Sequence, residues 1–171
     1  MGNSAARIAA RDYLSPSEGT YLTFHLRLNT DKSGDTLRTM TSAAIEPAVA
    51  VTLVVTATND NISFARLTAV QVASKVGFDY DAIEDIRIAV SELCGTLIAA
   101  AIPDSELTIV CRGDAEGLTI TARAPAPDAG AVLEPDELSE QLLAAVVDRH
   151  EYSCDGTEVQ FSMFRGRPDG S

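Results

Sequence analysis

Apolar and polar positions change period several times along this chain. The run Ala48 to Ala57 (AVAVTLVVTA) is apolar and β-branched, which predicts a strand. After it, Asn61 is suited to cap a helix, and Phe64, Leu67, Val70, Gln71 and Ala73 follow at helical spacing until Gly77 closes it. A second helix opens after Asp79 or Asp81. Glu84 and Asp85 stand in its first turn, where the dipole favours acids, and Ile83, Ile86, Val90, Leu93, Leu97 and Ala101 form its stripe. Pro103 stops it. Glu106 to Arg112 and Gly117 to Arg123 read as a hairpin around Gly113–Glu116, and Ala124 to Pro135 reads as a loop. A third helix is expected over Asp136 to Arg149, with Leu138, Leu142, Leu143, Val146 and Val147 inward. Tyr152 to Cys154 is a short strand, Asp155-Gly156 a turn, and Thr157 to Arg165 the last strand, with Val159, Phe161 and Met163 alternating. The tail from Gly166 should fray.

This order predicts an α/β two-layer sandwich: one mixed sheet with helices on one face. Residues 1–39 differ from the rest. They hold five Lys or Arg against four acids, whereas residues 40–171 hold eight against 21. Leu22, Phe24, Leu26 and Leu28 alternate with Tyr21, Thr23, His25 and Arg27 as in a strand, and Asn29 to Asp35 reads as a loop. Two readings stand for this segment. It is either an N-terminal strand added to a sheet edge, or an extension ahead of a natural start at Met40. The second gives an extension over 1–39 and one domain over 40–171.

Charge and cysteines narrow the function classes. The net charge of -12 argues against direct nucleic-acid binding, which needs clustered Lys and Arg, and suits a partner with a basic surface. Cys94, Cys111 and Cys154 are odd in number and show no CxxC spacing, which points to a reducing compartment and gives no metal site. No apolar run reaches the ~20 residues of a membrane helix. The N-terminus lacks a signal-peptide apolar region, so a cytoplasmic location is expected.

Four pieces of the chain carry a resemblance. They are Ser63-Phe64-Ala65-Arg66-Leu67-Thr68 in the first helix, Asp85 to Glu92 (DIRIAVSE) in the second, the strand pair up to Arg123, and Gly156-Thr157-Glu158-Val159 near the end. Together they resemble the RsbW-type anti-sigma factors of the GHKL (histidine-kinase-like ATPase) superfamily, over roughly residues 48–165. The resemblance implies the Bergerat-type α/β fold, with a nucleotide between the helical layer and a loop. It also implies a sigma factor held inactive and a STAS-type antagonist, phosphorylated on serine in many members, in a partner-switching system. Members often dimerise through the sheet face.

Carried over by position, Glu92 is the family's catalytic acid, which orients or deprotonates the attacking hydroxyl. The Mg²⁺-binding Asn expected four residues later is Thr96 here. The family's adenine-reading Asp and its two glycines fall on Ala124, Ala126 and Asp128, with Pro125 and Pro127 stiffening the loop. Between Ala129 and Glu140 the lid has one glycine, Gly130, and the acids Glu134, Asp136 and Glu137, which repel phosphates. Gly156 and Thr157 survive as cofactor-binding positions. Arg66 matches an arginine that contacts both sigma factor and antagonist.

The expectation is therefore an anti-sigma factor that acts by binding, with weak or absent ATP and Mg²⁺ binding and no kinase activity. An active serine kinase using ATP, Mg²⁺ and Glu92 is the alternative. A non-catalytic dimerisation domain is a third reading.

Overall fold

The computed structural model describes residues 23–27, 49–127, 133 and 135–167. Met40, the loop Asn29 to Asp35, the loop positions Asp128, Ala129, Gly130 and Glu134, and the tail from Pro168 lie outside them.

Six strands and three helices follow in the order β1 (Thr23–Arg27), β2 (Val49–Thr56), α1 (Ile62–Val76), α2 (Tyr80–Ala100), β3 (Glu106–Gly113), β4 (Gly117–Pro125), α3 (Glu137–Val146), β5 (Arg149–Asp155) and β6 (Glu158–Gly166). They form one sheet in the order β1-β2-β3-β4-β6-β5. The α/β sandwich is as expected, but the sheet is not mixed: every described ladder is antiparallel. The reason lies in the connections. A single crossover helix returns the chain for a parallel strand. Here two helices, α1 and α2, link β2 to β3. The second carries the chain back to the end it left, so β3 runs opposite to β2. Thr23–Arg27, within the 1–39 segment, pairs with β2 as an edge strand, Phe24 opposite Leu53.

Strand alternation builds the core. Leu53 and Val55, Leu107, Ile109 and Cys111, Leu118 and Ile120, and Val159, Phe161 and Met163 are all buried under the helices. Intervening positions such as Arg112, Arg123 and Gln160 are exposed. α2 supplies Ile86, Val90, Leu93 and Leu97 as its stripe predicts. Asp79 is its cap, accepting from the Ala82 amide at 2.9 Å. Gly77 takes φ +94° at the end of α1, where a left-handed residue lets its amide reach Ala73 O at 3.1 Å.

Two helices depart from the expected phase. In α1 the buried residues are Ala65, Thr68, Ala69, Val72 and Ala73. Phe64 and Leu67, expected on the stripe, are 37% and 59% exposed. Small residues let α1 lie close to the sheet and to α2, and this outweighs the size of Phe64 and Leu67. In α3 the inward positions are Ser139, Leu143 and Val146, and Leu138 is exposed. The helix also stops at Val146 rather than reaching Arg149, because β5 begins there. The loop expected from Ala124 starts later. Ala124 and Pro125 still pair with Val159 and Glu158.

Candidate functional site

Glu92 and Thr96 stand one turn apart on α2, and both line a cleft of about 430 Å³. Ser91, Gly95, Ala99 and Ala100 complete the α2 wall, and Asp136 and Ser139 form the α3 wall. Small residues on α2 leave the room. α3 supplies the polar edge because Asp136 caps it, accepting from the Ser139 amide at 2.8 Å.

The decisive contact crosses this cleft. The Ser139 hydroxyl donates to Glu92 Oε2 at 2.6 Å, the short length of a charge-assisted bond. Ser139 is buried, so the bond is shielded from water on one side. Below it, the Tyr152 hydroxyl is buried with no formed hydrogen bond among the described residues. Burial raises this phenol above its ordinary 10.0, and proximity to Thr96 opposes the shift. On the outer side, His150 Nε2 meets Glu140 Oε2 at 3.1 Å and joins β5 to α3.

The cleft's electrostatics are one-sided. Glu92 and Asp136 are its acids, and no Lys or Arg is among its described lining residues. A polyphosphate entering it would meet two carboxylates, with the nearest described cation, Arg66, held at the Ser91 edge. Of the positions that the resemblance assigns to adenine and its loop, Ala124 and Ala126 are buried apolar residues that offer no side-chain hydrogen bond. The Ala126 amide is already spent on Thr157 O at 2.6 Å.

The remaining predicted residues lie elsewhere. Gly156, at φ +65°, and Thr157 are exposed in the β5–β6 turn and do not line the cleft. Arg66 is half-buried on α1 and donates from Nη1 to Oγ of Ser91, a residue of the cleft wall, at 3.3 Å. Exposed Phe64 and Leu67 flank it in sequence. Sequence reasoning missed Ser139 as a member of this site. The signal for Ser139 was present: it stands at i−4 from Leu143, on the inward face, and three residues after an Asp cap.

Among the described residues, no group of His, Cys, Asp and Glu could hold a metal ion, and no helix is long and apolar enough to cross a membrane. Cys94 and Cys111 are fully buried, and desolvation pushes each thiol up to about 12. For Cys94 the neighbouring Cys111 adds to this, and Arg66 opposes it.

Comparison with known proteins agrees with the motif reading. No family model matches the chain. The anti-sigma-F factor RsbW of Mycobacterium tuberculosis is 32% identical over 109 residues, covering 64% of this chain and 64% of that protein. The serine-protein kinase RsbW of Bacillus cereus is 43% identical over 51 residues, 29% of this chain and 32% of that protein. The counterpart of the same name in Listeria monocytogenes is 39% identical over 62 residues, 34% of this chain and 40% of that protein. The chain thus spans less than two-thirds of the first relative and about a third of the others. This similarity and the α/β sandwich agree with the resemblance to the RsbW-type proteins that the motifs carry.

Proposed function

We propose that this protein is an anti-sigma factor that works by binding a sigma factor, not by phosphorylating an antagonist. The observation that carries this reading is the Glu92 cleft. It is lined by two carboxylates, Glu92 and Asp136, and by no described Lys or Arg, Arg66 reaching only its Ser91 edge, and Glu92 is already bonded to Ser139. A triphosphate finds neither charge nor adenine partner there. The binding surface in this reading is the outer face of α1. Arg66 is its centre, and Phe64 and Leu67 supply apolar area that a monomer leaves exposed. A sigma factor has a basic face for DNA, and a chain of net charge -12 complements it. A STAS-type antagonist competing for the same α1 face is the release mechanism. The helix-free face of the sheet is the proposed homodimer surface, and the compartment is the cytoplasm.

The test is a cross-linked pull-down from the native cell, followed by calorimetry with the sigma factor recovered. Arg66→Ala should weaken binding by about 2 kcal/mol, roughly thirtyfold in Kd. Unchanged affinity would remove α1 as the interface.

One observation favours the kinase reading. Glu92 stands in an open cleft, and Thr96 has a hydroxyl that could ligate Mg²⁺ one turn away. Labelled ATP with a STAS-type partner separates the two readings, since the binder forms no phosphoserine.

A further inference from the structure

Ser91 is half-buried on α2, and its hydroxyl makes two contacts among the described residues. It donates to the Arg87 carbonyl, one turn back on the same helix, at 2.8 Å. A serine bonded this way inside a helix is ordinary. The second contact is not part of that habit. A hydroxyl has one proton and two lone pairs. With the proton committed to Arg87 O, only acceptor capacity remains, and Arg66 Nη1 of α1 donates to it at 3.3 Å. The Arg87 side chain does not compete, because Glu84 holds it at 2.7 Å. Arg123 and Arg165 are likewise paired with carboxylates, Glu158 at 3.4 Å and Asp85 at 3.2 Å. Arg66 has no carboxylate partner among the described residues, and a neutral hydroxyl takes that place. Cys94, one turn beyond Ser91, senses the same guanidinium, which opposes the rise that burial gives its thiol. Two successive turns of α2 thus agree on where the Arg66 side chain lies.

We propose that Ser91 is a positioning residue for the α1 surface: its hydroxyl holds the Arg66 guanidinium in one arrangement before a partner arrives, and leaves the other N–H groups for that partner. An unheld arginine samples many rotamers, and ordering it at the moment of binding weakens association. A carboxylate could hold it too, but would neutralise the charge and compete with the partner for the planar donor fork. A hydroxyl engages one donor of the fork and keeps the charge available. Ser91 therefore acts through Arg66 and needs no contact with the partner itself. This role rests on the reading of Arg66 as the centre of the partner surface, whereas the hydrogen bond is a property of the chain on its own.

Two measurements on the full chain separate the contact from the surface it serves. In the free protein, nitrogen NMR of the arginine guanidinium groups reads rotation about the Cζ–Nη bonds, which a hydrogen bond on one Nη slows. Arg66→Lys identifies the Arg66 signals. Ser91→Ala should speed rotation at Arg66 severalfold and leave Arg87 unchanged, since Glu84 still holds it. Ser91→Thr keeps the hydroxyl and its bond to Arg87 O, and should restore slow rotation. The second measurement is calorimetry with the sigma factor recovered by the pull-down. Ser91→Ala should weaken binding roughly three- to tenfold, the cost of ordering one long side chain. Ser91→Thr should bind as the unaltered chain does. Ser91→Ala combined with Arg66→Ala should bind no more weakly than Arg66→Ala alone, because the hydroxyl then has nothing to hold. Unchanged rotation, a threonine variant that behaves like the alanine one, or additive losses in the double variant would each overturn the positioning role and leave the α1 surface standing. Normal binding by Arg66→Ala would instead remove the α1 surface, and the positioning role with it.

Discussion

Ser139 shows what a single residue does to this molecule. A polar side chain on the inward face of a helix is costly unless it is partnered, and here the partner is Glu92, 47 positions earlier in the chain. The motif singled out Glu92 in the sequence. The inward phase of Ser139 could be read locally, but its pairing with Glu92 could not, because a contact between residues so far apart leaves no mark on local periodicity. Leu138 and Ser139 are adjacent, and hydropathy alone favours Leu138 as the inward one. The structure turns Ser139 inward instead, since the phase set by Leu143 and Val146 decides. The buried thiols give a prediction at the same scale. Cys94 and Cys111 have folded pKa values of about 12 against an ordinary 9.0. The folded state holds these protons more tightly than the unfolded chain. Their contribution to stability is therefore full below pH 9 and is lost as pH rises towards 12. Denaturation midpoints should fall across that window, and the fall should be shallower in Cys94→Ala and Cys111→Ala. At pH 8 a thiol reagent should modify only exposed Cys154 quickly in the native protein.

At the scale of elements, the strands were the most legible. β2, β3, β4 and β6 begin and end within two residues of their expected limits, because alternation with β-branched residues is a strong signal and each strand buries one face. The phase of α1 was not legible in the same way. Two stripes compete on that helix, a large one through Phe64 and Leu67 and a small one through Ala65, Ala69 and Ala73. Only the packing partner decides between them. The partner is close: a Cβ placed on Gly113 of β3 would run into Val76 Cγ2 and come within 3.1 Å of Val72 Cγ1. Gly113→Ala must therefore push α1 away from the sheet or force its valines from their rotamers. A loss of about 1–3 kcal/mol is expected, read by chemical denaturation. The misassigned stripe has a functional side. Residues that composition would send to the core stand outside it, next to Arg66. They form the face on which the proposed Arg66→Ala loss depends.

For the whole molecule, the two-layer architecture followed from the element order, and the resemblance to RsbW-type proteins followed from motifs spread along that order. The antiparallel sheet did not follow, since the direction of β3 depends on counting both helices of the connection. The site divides along the same line. Glu92 and Thr96 share a helix and arrive together, as spacing dictates. Gly156 and Thr157 sit in an exposed turn outside the cleft, and Asp136 and Ser139 enter it from an element distant in sequence. The resulting cleft has room for a ligand, and the proposed function rests on its two carboxylates disfavouring a triphosphate. Thermal unfolding of the full chain with millimolar ATP, with and without Mg²⁺, tests that conclusion most directly. Binding at 100 times Kd would add about 2.7 kcal/mol, worth roughly 5–10 °C for a chain of this size. A cleft lined by Glu92 and Asp136 predicts no shift under either condition. A saturable, Mg²⁺-dependent rise of several degrees, abolished by Glu92→Ala or Thr96→Ala, would contradict it.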